Sequence, residues 1–432
     1  MPFRIAKRVT ETTSGAFFTV GTVPRSTDTP FTNCCIFPQR RLHTGDEWGT
    51  GLEFGKQHEG RERGLLLLRS VPTLKRKHLD RYVQDRFGPD AKLLRFGPIG
   101  EETSSSGLKG YGYGSPIRLT VQVGRRIHRV VLVTMKPGPF GHEHPADRAQ
   151  ALLWDYDSYG KLSRHVPALD VGAFTAEGAL LSVASAREFF VLTEWVDGRS
   201  YYDDLTDLAR SGRLSSRDRR RAHALVTYLA AIHQKKRRQP DLYRRRLREL
   251  LGHGECIMGL TDSYPARFDF ITEDVLRSIE DSCNRRRWKL RSRSSRLAQV
   301  HGDFHPWNVL FRRGIDFSVL DRSRGEWGEP ADDVTSMTIN YLFASLRRWG
   351  DLRGPFETLF RDFWDRYMAE TGDPGVLETA APFFAFRGLV IASPVWYPNL
   401  SMSVRRSIFH FIEQVLATER FDPSDVNRYL KG

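Results

Sequence analysis

Cysteine is scarce in this chain of 432 residues: four in all, at Cys34, Cys35, Cys256 and Cys283. They show neither the CxxC spacing of a zinc site nor the density of a disulfide scaffold, so they read as reduced, incidental thiols. No apolar run approaches the roughly 18 residues needed to cross a bilayer. The start MPFRIAKRVTETTS lacks the apolar stretch of a secretory signal, so the expected location is cytoplasmic. There is no internal repeat, and no low-complexity tract besides arginine-rich patches.

What the chain does have is ordinary globular material, 40% hydrophobic and 27% charged, in a length sufficient for two or three domains. Its net charge of +14 is concentrated. Between Arg210 and Val300 there are 23 Lys or Arg against 10 Asp or Glu, and the rest is close to neutral. The runs RDRRR, KKRR, YRRRLR and NRRRWKLRSRSSR could track a nucleic-acid backbone, or could simply form a solvated arginine face.

Three regions emerge along the chain. Residues 1–63, rich in Thr, Gly, Arg and Pro and without sustained periodicity, read as a mobile extension. Residues 64–196 read as a smaller lobe. It opens with an amphipathic helix carrying Leu74, Leu79, Tyr82 and Val83, stopped by Gly88-Pro89. Strands follow in AKLLRFGPIG, SPIRLTVQV and RVVLVTMK, forming a small antiparallel sheet. A helix over HPADRAQALLWDYDSYGKL, with Ala149, Leu152, Leu153 and Tyr156 on one side, precedes strand-like VGAF and FFVLTEWV. From Asp197 the pattern turns helical. RRAHALVTYLAAIH, LYRRRLRELL, DVLRSIEDSC, VTSMTINYLFASL, PFETLFRDFWDRYMAE and VRRSIFHFIEQVLA each repeat apolar residues at helical spacing. Residues 197–432 are thus a larger, mainly α lobe, and the fold class is α+β.

The most informative stretch is VHGDFHPWNVLF, residues 300–311, followed by FSVLDRSRGEWGEPADDV, residues 317–334. HGDFHPWN resembles the HGDxxxxN catalytic loop of the aminoglycoside phosphotransferase and choline kinase family, itself similar to the HRDxxxxN loop of protein kinases. Asp303 and Asn308 keep its spacing, and Asp321 follows an apolar strand, where that superfamily places a metal-binding aspartate. Any one of these could merely satisfy a turn backbone. Together they fit phosphoryl transfer, which needs a carboxylate to orient and deprotonate the attacking hydroxyl and oxygen ligands for Mg²⁺. Asp303 suits the first role, Asn308 and Asp321 the second.

The resemblance covers roughly residues 90–345 and implies a bilobal kinase-like fold with ATP in the cleft. Gly110, Gly112 and Gly114, between two strands, stand where a glycine loop would cover phosphates, although the third glycine falls too early for GxGxxG. Lys136, closing the next strand, stands where the family contacts the α and β phosphates. Its carboxylate partner is Asp147 or Glu143, with Asp147 preferred as the residue that begins the helix. Around Glu194 and Val196, VLTEWVDG resembles the family's adenine-binding hinge. YLAAIH ending at His233, and GEPADDV with Asp333, resemble structural segments of the family. His301 is expected to hold the loop, and Asp332 and Asp333 to cap a helix. His142 and His144 lack further ligands for a metal. SPVWYPNLS, residues 393–401, reads as packing between helices or as part of an acceptor pocket.

The function implied is an ATP- and Mg²⁺-dependent kinase acting on a hydroxyl of a small molecule. The basic 210–300 stretch favours a neutral or anionic acceptor over a polycation. The rival readings are a catalytically silent module of the same fold and a nucleic-acid-binding protein.

Overall fold

Two separate apolar cores organise the chain, a small one under a three-stranded sheet and a large one among helices. The computed structural model describes residues 73–99, 114–138 and 140–431, all within the compact unit His58–Gly432. The expected extension, residues 1–63, lies outside them, as do Cys34 and Cys35.

Helix α1 (Arg76–Phe87) buries Leu79 and Val83, and ends at Gly88, whose φ of 109° is open to glycine and strained for other residues. Strands β1 (Lys92–Pro98), β2 (Gly114–Val123) and β3 (Arg126–Met135) follow as an antiparallel meander. Ala91, Leu93, Leu119 and Val121 close the core with α1. The Gly124-Arg125 turn joins β2 to β3, and the register sets Gly114 opposite Met135, beside Lys136.

Helix α2 (Pro145–Tyr159) forms where the sequence places it, but its apolar side is only half-buried and Ala149 is exposed. Strands β4 (Gly172–Phe174) and β5 (Leu180–Ser182) make a short hairpin of their own. The expected strand FFVLTEWV does not form. Residues 183–198 belong to no strand, and Phe190, Leu192 and Trp195 are more than 75% exposed. A strand exists only by pairing with an edge, and this segment pairs with none among the described residues.

The second region begins with β6 (Arg199–Ser200), α3 (Tyr201–Ser211), α4 (Ser216–His233), α5 (Pro240–Gly252), α6 (Ile257–Ser263) and α7 (Glu273–Leu290). Strands β7 (Ala298–Gln299), β8 (Val309–Phe311), β9 (Phe317–Val319) and β10 (Trp327–Gly328) come next. β6, β8 and β9 form one antiparallel sheet, and β7 pairs with β10. Helices α8 (Ala331–Trp349), α9 (Gly354–Thr371), α10 (Val376–Ala392), α11 (Met402–Ala417) and α12 (Val426–Tyr429) complete it. α10 escapes an amphipathic reading because it is apolar on every side and contains Pro382. Fifteen of its residues are buried, as suits a central helix. Gly388 lets α11 pack closely, since a Cβ there would meet Ile412 at 2.7 Å. No helix among the described residues is long and apolar enough to cross a membrane.

Candidate active site

The loop between β7 and β8 is held from below by α8. Asp333, fully buried in the first turn of α8, accepts the backbone N–H groups of His301 at 2.7 Å and Gly302 at 2.8 Å. Gly302 has φ +85°, and Arg324 packs 3.3 Å from where its Cβ would stand. His233, at the end of α4, lies 3.1 Å from the same carboxylate and 2.8 Å from the Tyr367 hydroxyl. Burial alone would raise the Asp333 carboxyl, but His233, His301 and these bonds hold it below the usual carboxylate range. Asp333 therefore does not cap its own helix as the sequence suggested. It anchors the loop instead.

His301 is buried, and its Nδ1 accepts the N–H of Asp303 at 3.3 Å. Burial holds its imidazole below the ordinary range and so neutral at pH 7. Asp303 is bound by Arg387 of α10 through Oδ1, while His305 Nε2 lies 3.4 Å from Oδ2. Burial would raise its carboxyl too, but Arg387, His305 and Arg324 together hold it far below the usual range. Arg387 also donates to Asp332 at 2.6 Å, so Asp332 likewise forms an ion pair rather than a cap.

Asn308 donates its Nδ2 to the Asp303 carbonyl at 3.0 Å. Its own carbonyl accepts from Leu320 N at 2.8 Å, continuing the β8–β9 pairing of Val309 with Val319. Asp321, one residue on, thus leaves the hairpin at the end where Asn308 enters it. Asp321 has φ +52°, a conformation Asp tolerates better than most residues. It is exposed, and among the described residues no ion pair or hydrogen bond occupies its carboxylate. An amide and an unencumbered carboxylate at one hairpin end suit a hard cation, which favours oxygen donors. No cluster of three or more His, Cys, Asp and Glu side chains gathers among the described residues, at His142 and His144 or around Asp321.

The smaller lobe is less completely assembled. Gly110 and Gly112 lie outside the described residues, and Gly114 begins β2 opposite Met135. Lys136 is exposed just after β3, and among the described residues no carboxylate pairs with it. The carboxylates proposed for it are engaged elsewhere. Arg245 of α5 grips Asp147 at 2.6 and 2.8 Å and Glu143 at 2.6 Å, while Asp147 also accepts the His144 N–H at 2.7 Å. Glu194 is exposed and Val196 half-buried within the stretch that forms no strand.

Arg387 and Arg324 flank Asp303 and were not among the candidates from sequence. Arg324 lies three residues past Asp321 in an apparently ordinary turn. Arg387 sits in an apolar helix 84 residues beyond its partner, where an isolated arginine is the one available signal.

Residues 121–369, more than half of the chain, match the family described as Phosphotransferase enzyme family, and the chain belongs to that family. No curated protein sequence matches it significantly. Among solved structures it is similar to a Plasmodium vivax ethanolamine kinase, at 12% identity over 78% of this chain and 80% of that one, with a TM-score of 0.31. A choline kinase from Cryptosporidium parvum Iowa II is 10% identical over 78% and 86%, with a TM-score of 0.29. An amicoumacin kinase in complex with AMP-PNP and Ca²⁺ is 15% identical over 74% and 90%, with a TM-score of 0.36.

Proposed function

We propose that this chain transfers the γ-phosphate of ATP, with Mg²⁺, to a hydroxyl of a small molecule. The observation that carries the reading is the convergence of Asp303, Asn308 and Asp321. Two links support it: Asn308 Nδ2 donates to the Asp303 backbone carbonyl, and the β8–β9 pairing sets Asp321 at the hairpin end where Asn308 enters.

In this reading Asp303 orients the acceptor hydroxyl and takes its proton. Asn308 and Asp321 hold the cation, which when bound neutralises charge on the phosphates. Gly110, Gly112, Gly114 and Lys136 supply phosphate contacts, with Lys136 free of a competing carboxylate. Backbone groups near Glu194 and Val196 receive the adenine. Asp147 is held by Arg245 in the tie between α2 and α5.

The arginine-rich stretch fits this reading better than a nucleic-acid track. Arg221, Arg245, Arg246, Arg286 and Arg296 are spent on carboxylates or backbone carbonyls of the protein itself. The acceptor we favour is neutral or anionic, because Arg324 and Arg387 already stand beside Asp303 and disfavour an incoming cation. The test is ADP formation by the purified protein with Mg²⁺-ATP against a panel of hydroxyl compounds, aminoglycosides among them, at low and high salt. Turnover with neutral or anionic acceptors supports the proposal. Efficient aminoglycoside phosphorylation at low salt would refute the acceptor class, and ATP consumption with no member of the panel would refute the activity.

A further inference from the structure

The buried guanidinium of Arg387 makes three bonds, and all of them reach the site. Nη1 binds Asp303 Oδ1, while Nη2 donates to Asp332 Oδ1 at 2.6 Å and to the Gly302 carbonyl at 3.1 Å. The arginine thus bridges the catalytic-type loop to the first turn of α8. Its own position is rigid. The guanidinium lies 4.5 Å from the Phe386 ring centroid, and the neighbouring Gly388 is pressed against Ile412 of α11. Arg324 lies over the same ring at 4.6 Å.

The consequence falls on Asp303. One carboxylate oxygen is occupied by Arg387, and the other, Oδ2, has His305 Nε2 at 3.4 Å as its one charged-type contact among the described residues. Tethering one oxygen restricts the carboxylate's rotation and leaves Oδ2 as the oxygen free to meet a reactant. Around it stand Arg387, Arg324, His305, His301 and Asp332. Loops position reacting groups loosely unless a neighbouring element holds them, and misplacement by about 1 Å costs on the order of 10²-fold in rate.

We propose that Arg387 is a positioning residue for phosphoryl transfer: it tethers Asp303 through Oδ1, so that Oδ2 receives the acceptor hydroxyl. This rests on the role assigned to Asp303 above. The acceptor oxygen forms the new bond to the γ-phosphorus while its proton passes to Oδ2. The bond from that phosphorus to the β–γ bridging oxygen breaks, and ADP leaves with the electron pair.

The test is steady-state kinetics of Arg387→Met and Arg387→Lys, each alone and combined with Asp303→Asn, using Mg²⁺-ATP with water or a hydroxyl compound from the panel as acceptor. Arg387→Met should lower kcat about 10²-fold with the KM for ATP held within about twofold, because nucleotide is bound elsewhere. Arg387→Lys, keeping the charge but not the fork, should recover about tenfold of that loss. On the residual turnover of Asp303→Asn, adding Arg387→Met should cost less than about twofold more, since the tethered group is already gone. An Arg387→Met enzyme with unchanged kcat, or one losing as much in the Asp303→Asn background, overturns the proposal. Should Arg387→Met unfold by leaving Asp332 unpaired, the pair Arg387→Met with Asp332→Asn removes the stranded charge and is read by the same criteria. Full turnover by Asp303→Asn refutes the role of Asp303 itself, whereas an inactive Asp303→Asn beside a fully active Arg387→Met refutes only the tether.

Discussion

The carboxylate of Asp333 accepts the backbone N–H of His301 at 2.7 Å, tying the start of α8 to a loop 32 residues earlier in the chain. With the Gly302 N–H and His233 on the same group, a buried charge acts as the hub on which the loop is mounted. Asp333→Ala should cost about 3 kcal/mol, as expected when one partner of a buried charged network is removed. Because the folded carboxyl lies below its ordinary value of 3.8, its contribution is present above pH 3.8 and is lost as pH falls through the lower folded value. Urea midpoints of wild type and Asp333→Ala should therefore differ most at neutral pH and converge in strong acid. A constant gap across pH would contradict the assignment.

Asp303→Asn should reduce kcat by about 10²-fold or more while leaving ATP affinity near wild type, since an amide cannot accept the hydroxyl proton. Fluorescent-nucleotide titration alongside turnover separates the two effects. Loss of nucleotide binding in proportion to turnover would mean that Asp303 serves the nucleotide instead.

Asp321→Ala should act on the metal. With one oxygen ligand removed, the Mg²⁺ concentration giving half-maximal turnover should rise about tenfold or more. The readout is a Mg²⁺ titration at fixed ATP. An unchanged midpoint would dismiss Asp321 as a ligand.

Arg245 joins α2 to α5 through Asp147 and Glu143. Arg245→Ala should destabilise the protein by about 2 kcal/mol, the scale of hydrogen bonds to charged groups. Hydrogen exchange should quicken in α2, which has little apolar burial of its own, while β1 to β3 keep their protection. Unaltered exchange in α2 would mean that the fork contributes nothing to its docking.

Much of this architecture is legible in the chain itself. Leu79 and Val83 at helical spacing mark α1, and the apolar runs of β2 and β3 around a Gly-Arg turn mark a hairpin, because burial repeats with the period of the backbone. The spacing from Asp303 to Asn308 to Asp321 survives folding because the intervening hairpin is local. α10 was invisible for the opposite reason: a helix buried on all sides has no period to detect. FFVLTEWV misled because an apolar, β-branched run states a preference for strand without supplying the partner edge.

Sequence alone thus determined the periodic elements and the segment from 300 to 321 that carries Asp303, Asn308 and Asp321, because those features depend on side-chain period and near-neighbour spacing. Only tertiary structure decided which basic side chain meets which carboxylate: Arg387 on Asp303, Arg245 on Asp147, His233 on Asp333. These pairs span 84, 98 and 100 residues. In a chain with 66 Lys and Arg, charge complementarity permits many partners for each acid, and only the packing of buried helices selects one.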